Sequence, residues 1–284
     1  MRITALLIAA LLVIPCTLRA QQQADSVAAT HRIVATCTSL GIATMNNLDT
    51  YLSGYDHKGK ALTLSHERVR NTRCGANSPK RRTFFGATAG TASLHGNTEL
   101  TAMVNYNIGW YYPLLATGAL QLLGGVQAEL GGGAIYLPSN SNNPVSAKAR
   151  VTAAASAMAL YRIATKNGTC TLRAQVDAPL TGVMFAPEFG QSYYEIFTLG
   201  DNENTVAVTH PLNAPSLRTT LSADVPFTLW GQSATVRIGY TADIFQSELN
   251  DIRTHLYHHS FSIGFVKTIY KIKNGDKFKE YSPF

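Results

Sequence analysis

The residues most able to do chemistry lie near the C-terminal end of the chain, where one residue separates His258 from Ser260. On a β-strand this spacing places an imidazole and a hydroxyl on the same face, because successive side chains point to opposite faces. A serine hydroxyl becomes a useful nucleophile when an adjacent base accepts its proton. His258 and Ser260 are therefore a candidate catalytic pair, with Glu248 and Asp251 as nearby candidates for a third member.

A second set of candidates consists of charged side chains that alternate with apolar or neutral ones. Arg173 and Asp177, for example, alternate with Leu172, Ala174 and Val176. If such strands enclose a lumen, the charged side chains line a narrow polar channel, bind a charged solute, or fill the interior as an ion-pair network. We favour the network, because charges buried in a small barrel need partners. The set comprises Glu99, Arg150, Arg162, Arg173, Asp177, Arg218, Asp224, Arg237 and Asp243.

Two polar segments between these strands are candidate ligand-binding loops. Aromatic rings with polar tips offer large contact areas to a solute or a glycan. Asparagine and proline also simply form turns, so a purely structural role explains the same residues. The candidates are Asn140, Asn142, Asn143, Glu188, Tyr193, Tyr194 and Glu195.

Several classes of function find no support in the sequence. The net charge of +7 is not gathered into the basic stripe that nucleic-acid-binding proteins show, so we expect no nucleic-acid partner. No phosphate-binding glycine motif, zinc-binding cysteine pair or nucleotide fingerprint is found, and the histidines near position 258 match no specific metal-binding spacing. We therefore predict no cofactor and no metal site.

The elements that must position these residues are strands. Apolar and polar residues alternate with period two through most of the chain, most clearly from Thr98 to Trp110. The Ala-rich stretch from Ala147 to Ile163 would also suit a helix, but its alternation favours a strand. Ten strands are predicted, and eight or twelve stay open as alternatives. Their predicted ranges are 34–48, 60–72, 83–95, 98–111, 118–136, 146–163, 168–185, 214–227, 233–247 and 252–269.

The two ends of the chain have different compositions from the part between them. Residues 1–20 combine Arg2, an apolar run and a small residue at Ala20, the order of a secretory signal cleaved near that point. Residues 21–270 are predicted to form the β-barrel, and residues 271–284 a polar C-terminal tail. Charged residues make up 14% of the chain while 45% are hydrophobic, a combination that suits a membrane barrel with an apolar outer wall and a neutral polar interior.

Four strings of residues resemble a known family. They are "YLSGYDHKGKALTLSHERVR" at 51–70, "NSNNPVSAKAR" at 140–150, "FAPEFGQSYYEIFTLG" at 185–200 and "VRIGYTADIFQSELNDI" at 236–252. Together they resemble an outer-membrane-type family from Bacteroidetes that is catalogued as a domain of unknown function. The resemblance spans most of the chain after residue 20 and implies an exported β-barrel. It implies no activity, cofactor or site residue.

The sequence as a whole predicts an all-β protein, a single antiparallel transmembrane β-barrel of the bacterial outer membrane that contacts membrane lipid. The leading hypothesis for its role is non-enzymatic: a narrow or plugged pore, a structural barrel or a surface-binding barrel, with a small solute or glycan as a candidate ligand at the outer loops. One alternative is an outer-membrane lipid hydrolase that uses His258 and Ser260, since outer-membrane lipid A deacylases are similar in placing such a pair on a barrel strand. The other is a soluble periplasmic β-protein.

Overall fold

The computed structural model describes residues 31–73, 78–166, 168–229, 232–274 and 277–281. The predicted signal segment, residues 1–20, lies outside this part of the chain. Period-two alternation produces strands throughout, including the Ala-rich segment. The strands are β1 (His31–Asp49), β2 (Ser53–Asn71), β3 (Lys80–Leu94), β4 (Asn97–Thr117), β5 (Leu120–Tyr136), β6 (Val145–Thr165), β7 (Gly168–Phe185), β8 (Val206–Thr209), β9 (Ser216–Leu229), β10 (Gln232–Leu249), β11 (Ile252–Asn274) and β12 (Lys277–Tyr281).

Ten of these strands form a closed antiparallel barrel. Neighbours in sequence pair with each other, except that β9 follows β7 in the barrel, and the sheet closes because β1 pairs with β11 along its whole length. The two short strands are additions, with β8 pairing with β7 and β12 with β11. The predicted fold class is confirmed, and the strand number is ten rather than eight or twelve. Closure leaves no free edge in the barrel wall, so its backbone groups are paired within the wall.

Alternation divides each strand into an inner and an outer set of side chains. On β1, odd-numbered residues such as Cys37, Ser39 and Asn47 are buried, whereas Leu40 and Ile42 on the other face are 64% and 66% exposed. The interior contains many polar and charged residues, and the outer face is largely apolar. This distribution is the reverse of that in a soluble β-barrel.

At one end of the barrel, hereafter the loop end, the connections differ greatly in length. Two of them are two-residue turns, His95–Gly96 and Asn250–Asp251, whose positive φ angles (47° and 86°, 50° and 61°) are those of the tight turns favoured in hairpins. The connection 137–144 is longer, and the connection 186–215 contains β8 and a short π-helix (Glu195–Leu199).

The other end, hereafter the terminal end, carries both ends of the described chain. Two residues separate β4 from β5, β6 from β7 and β9 from β10 there, whereas the eight-residue connection 72–79 separates β2 from β3. That last connection is held at its base by hydrogen bonds from the Thr72 backbone N–H and hydroxyl to the Pro79 carbonyl, at 2.8 and 2.9 Å. The chain continues β11 to Asn274 and then pairs β12 with it, in the region where the sequence indicated a polar tail.

Among the described residues, no helix is long and apolar enough to cross a membrane.

Candidate functional site: the barrel lumen

The strongest polar cluster in the lumen is built around Glu67 on β2. Its carboxylate accepts hydrogen bonds from Arg82 at 2.5 Å, from Arg173 at 2.7 and 2.9 Å, and from Arg237. Arg237 also binds both carboxylate oxygens of Asp224, at 2.6 and 2.8 Å. We call these five residues the lower ion-pair group. Three guanidinium groups thus share two carboxylates in a buried site.

The lower ion-pair group crosses the barrel. In the ring of ten strands, β2 and β7 are five strands apart in either direction, so the Glu67–Arg173 pair joins opposite walls. Beside it, the Tyr111 hydroxyl accepts hydrogen bonds from Ser156 at 3.0 Å and from Gln175 at 3.1 Å. Gln175 also donates to Asp177 at 2.8 Å. The lumen at this level is filled by side chains bonded to one another.

A second charged cluster lies closer to the loop end. Arg218 donates to Asp243 at 2.9 and 3.0 Å and to Glu129 at 3.4 Å. The Arg150 guanidinium carbon lies 4.7 Å from the centre of the Phe245 ring, within the range of a cation–π contact.

The end of the lumen nearest the loops is crossed by another ion pair. The Lys148 Nζ on β6 is 2.8 Å from the Asp49 Oδ2 on β1. These two strands are also five strands apart in the ring. Next to this pair, Asn47 donates to Glu99 at 2.7 Å and to Thr101 at 3.1 Å. Ion pairs therefore bridge the full width of the barrel at two levels.

Apolar residues close the lumen above the Lys148–Asp49 pair. Tyr51, Leu52, Ile135, Leu137 and Ile252 form a buried cluster, which we call the apolar cap. These residues come from the 50–52 turn, from the end of β5 and the residue that follows it, and from the start of β11.

Tyr193 in the long connection packs against the apolar cap. Its ring centre is 5.9 Å from that of Tyr51, and its hydroxyl accepts a hydrogen bond of 2.6 Å from the Ala147 backbone N–H. The Tyr51 hydroxyl in turn donates to the Gln191 carbonyl at 2.6 Å. Burial raises the pKa of both tyrosines, and the nearby Asp49 carboxylate adds to this effect. Both hydroxyls therefore stay protonated at neutral pH and hold the connection to the barrel.

Glu195 begins the π-helix and has a local structural role. Its carboxylate accepts hydrogen bonds from the Ser192 backbone N–H at 2.7 Å and from the Ser192 hydroxyl at 2.8 Å, while the hydroxyl accepts one from the Glu195 N–H. This reciprocal pattern is a capping box. The bonds from Ser192 lower the pKa of Glu195. Of the other candidates in this connection, Glu188 and Tyr194 are exposed.

The asparagine candidates lie in the 137–144 connection. The Asn140 side-chain carbonyl accepts hydrogen bonds from the backbone N–H groups of Asn142 and Asn143, at 3.3 and 3.2 Å. Its amide donates to the Leu52 carbonyl at 3.0 Å. The first two bonds form a turn and the third ties that turn to the 50–52 turn, so the contacts of Asn140 are those of a structural residue.

His258 and Ser260 both point into the lumen. The His258 Nε2 is 3.2 Å from the Asn47 side-chain oxygen, and the Ser260 hydroxyl donates to the Thr241 carbonyl at 3.5 Å. Among the hydrogen bonds of the described residues, none joins His258 to Ser260. Glu248 is instead in an exposed ion pair with Arg253. The arrangement does not bring together a nucleophile, a base and a third member.

Two cavities remain between the charged clusters. One, of about 120 Å³, is lined by Glu67, Arg173, Arg237 and Ser260 among others. The other, of about 90 Å³, is lined by Met103, Arg150, Phe245 and Leu256 among others. Arg218, Asp243 and His258 border both, so the two cavities are neighbours in the middle of the lumen.

The structure brings the charged candidates together and adds partners that the sequence analysis missed. Glu99, Arg150, Arg162, Arg173, Asp177, Arg218, Asp224, Arg237 and Asp243 all lie on inner faces. Glu67, Arg82 and Glu129 were not predicted. For Glu67, alternation gave no signal, because the outer face of β2 is also rich in charged residues. Among the described residues, no group of three or more His, Cys, Asp or Glu side chains is placed to hold a metal ion.

Comparison with known proteins identifies a family for this chain. A family model described as "Protein of unknown function (DUF3316)" matches residues 4–276. No curated protein matches the chain.

Three solved structures are among those to which the chain is similar. The translocator domain of the autotransporter NalP from Neisseria meningitidis is 12% identical, with a TM-score of 0.37, and the alignment covers 86% of this chain and 92% of that one. The outer membrane protease OmpT from Escherichia coli is 9% identical, with a TM-score of 0.40 and coverage of 84% and 96%. The β domain of the Bordetella autotransporter BrkA is 12% identical, with a TM-score of 0.36 and coverage of 83% and 99%.

Proposed function

Since this chain belongs to the DUF3316 family of proteins of unknown function, we propose a role from its own geometry: it is a plugged barrel of the bacterial outer membrane. Membrane insertion is supported by the outer wall, where large apolar side chains are exposed on strand after strand. Trp110 and Tyr112 lie on the outer face near the terminal end of β4, as expected for an aromatic girdle, whereas the intervening Tyr111 is buried in the lumen. An even number of antiparallel strands is typical of bacterial outer-membrane barrels.

The plugged state is inferred from two ion pairs that cross the barrel, Glu67–Arg173 and Asp49–Lys148. Each joins strands on opposite walls, so each occupies the path that a solute would take along the axis. The apolar cap covers the loop end above them. In this state the barrel acts as a membrane-anchored platform for the connections at its loop end rather than as an open pore.

The two alternatives fit the structure less well. A lipid hydrolase would have to expose its catalytic pair to lipid, whereas His258 and Ser260 face the lumen without bonding to each other. A soluble periplasmic protein would leave the apolar outer wall in water. Origin in Bacteroidetes, signal cleavage near Ala20 and binding of a solute or glycan by the loops stay predictions.

The plug is tested by conductance in planar lipid bilayers. We expect the wild-type barrel to show no steady open-channel current. A variant lacking both crossing pairs (Glu67→Ala, Arg82→Ala, Arg173→Ala, Asp49→Ala and Lys148→Ala) is expected to conduct. Removing Arg82 together with Glu67 and Arg173 leaves Arg237 paired with Asp224, so no buried charge is stranded.

The control variant is Glu248→Ala with Arg253→Ala, which removes an ion pair whose side chains are 69% and 65% exposed. This variant should behave like the wild type. Each protein is first checked for folding by comparing the electrophoretic mobility of unheated and boiled samples. A wild-type current as large as that of the variant would refute the plug.

A further inference from the structure

The cationic side chains that the structure describes on the outer wall lie on one face of the barrel. Among the strand side chains that the structure describes, the outward Lys and Arg residues lie only on β2, β3 and β11, three strands grouped around β1. The inner Lys and Arg residues of β6, β7, β9 and β10 do not contribute to the outer surface of those strands. The outward set is Lys58, Lys60, Arg68, Arg70, Arg81, Arg253 and Lys267.

On this face, three exposed residues in register form what we call the upper cationic row. Thr44 on β1 pairs with His259 on β11 and with Lys60 on β2. All three are exposed, and the His259 Nδ1 is 2.8 Å from the Tyr240 hydroxyl. Since neighbouring strands are about 4.8 Å apart, the two basic residues are separated by about 10 Å at the backbone, with a threonine hydroxyl between them.

The same arrangement recurs closer to the terminal end as the lower cationic row. Thr36 on β1 pairs with Lys267 on β11 and with Arg68 on β2. Lys267 and Arg68 are both exposed. Each member of the lower row lies eight residues along its strand from the corresponding member of the upper row.

The spacing of the two rows corresponds to the thickness of a membrane. Eight residues span about 26 Å along a strand, and barrel strands tilt by about 40°, so the rows are about 20 Å apart along the barrel axis. The apolar band of a membrane barrel is about 25 Å tall. Exposed apolar residues occupy the interval between the rows, namely Leu40, Ile42, Leu62, Leu64, Phe261, Ile263 and Phe265.

In the part of the chain that the structure describes, the Lys and Arg side chains of the two rows, Lys60, Arg68 and Lys267, are in no ion pair. The polar pair that lies between the rows, Thr38 and His66, is satisfied by a hydrogen bond of 2.9 Å. Long basic side chains beside an apolar wall extend toward the lipid headgroups, where phosphate is the available anion.

We propose that the β11–β1–β2 face binds the phosphate groups of anionic membrane lipids through the upper and lower cationic rows. This inference rests on the proposed membrane insertion. It assigns the face a ligand class and makes it the side of the barrel that selects its lipid neighbours, because the described outward side chains of β4 to β10 include no Lys or Arg.

The test is electron spin resonance of spin-labelled lipids around the full barrel in phosphatidylcholine vesicles. The spectrum separates lipids held at the protein surface from those in the bulk bilayer. We expect spin-labelled phosphatidylglycerol to be held about fivefold more strongly than spin-labelled phosphatidylcholine, and added salt to reduce this preference. The variant Lys60→Gln, His259→Gln, Arg68→Gln and Lys267→Gln should lose it.

The matched control is Lys166→Gln with Arg253→Gln, which removes exposed cations outside the two rows and should keep the preference. Equal retention of the two labelled lipids by the wild type, or a preference that persists in the row variant, would overturn the inference. A complete absence of surface-held lipid would instead refute membrane insertion, and with it the inference.

Discussion

At the scale of single residues, Glu67 is the carboxylate on which the lower ion-pair group depends. Replacing it by glutamine keeps the side-chain shape but leaves Arg82 and Arg173 without their carboxylate partner. Breaking a buried ion pair from one side costs about 3–5 kcal/mol, because the remaining charge stays buried. We expect Glu67→Gln to lower the free energy of unfolding by that amount, measured by urea titration of the barrel in lipid vesicles with tryptophan fluorescence as the signal.

The matched control at this scale is Glu248→Gln, which makes the same chemical change in an exposed pair. Exposed ion pairs contribute about 0–1 kcal/mol, so this variant should unfold almost as the wild type does. Equal stability losses in the two variants would show that Glu67 does not stabilise the buried arginines more than an exposed ion pair stabilises the surface.

At the scale of elements, the long connection 186–215 depends on a two-residue turn in a different hairpin. The Asn250 amide donates to the Ala186 carbonyl at 2.6 Å and to the Asn204 carbonyl at 2.8 Å. Asn250→Gly retains the positive φ of the turn but removes both bonds. We expect chymotrypsin to cut the connection roughly thirtyfold faster, since each of the two lost hydrogen bonds is worth about 1 kcal/mol. Asp251→Gly, in the same turn, should leave the cleavage rate unchanged, and a comparable increase in that variant would contradict the assignment.

The strands themselves were predictable, whereas the inner and outer faces were predictable only on some of them. On β4, β9 and β10, alternation separates apolar from polar residues because one face forms the apolar outer wall and the other lines the polar lumen. On β2 the outer face carries Lys60 and Arg68, so alternation could not show that Glu67 points inward. On β7 the pairing register shifts opposite Ala153 and Ala154. Odd-numbered residues such as Asp177 point inward before the shift, and the even-numbered Met184 points inward after it.

The sequence predicts which charged residues form the candidate site, but not which of them pair with one another. Sequence spacing identified charged residues on inner faces, yet the partners of Arg173 and Lys148 lie on opposite walls of the barrel. Such contacts depend on barrel closure and on the stagger of the strands, which no local pattern contains. The role of Asn140 was equally hidden, because its amide reaches the Leu52 carbonyl in a different connection.

At the scale of the whole molecule, the chain reverses the usual arrangement of a soluble protein, with ion pairs inside and leucines outside. Buried charged side chains find partners on several strands. The arrangement of the interior is therefore determined by ion pairs and hydrogen bonds as well as by apolar packing. The outer wall is largely apolar, which the proposed membrane insertion accounts for. The same ten strands therefore require two different environments, and removing the outer one should expose a large apolar surface to water.

This arrangement predicts how the full chain behaves on extraction from cells. We expect recovery from the envelope fraction only with detergent, and different electrophoretic mobilities for unheated and boiled samples, because a closed barrel has no free edge from which to unravel. Leu130→Arg, on the outer wall, should reduce the heat-sensitive folded fraction, since a charge facing lipid costs about 2–4 kcal/mol near the membrane centre. Leu212→Arg, at a loop position that is 92% exposed, should not. Recovery of folded wild-type protein without detergent would refute membrane insertion, because the apolar wall would then be stable in water.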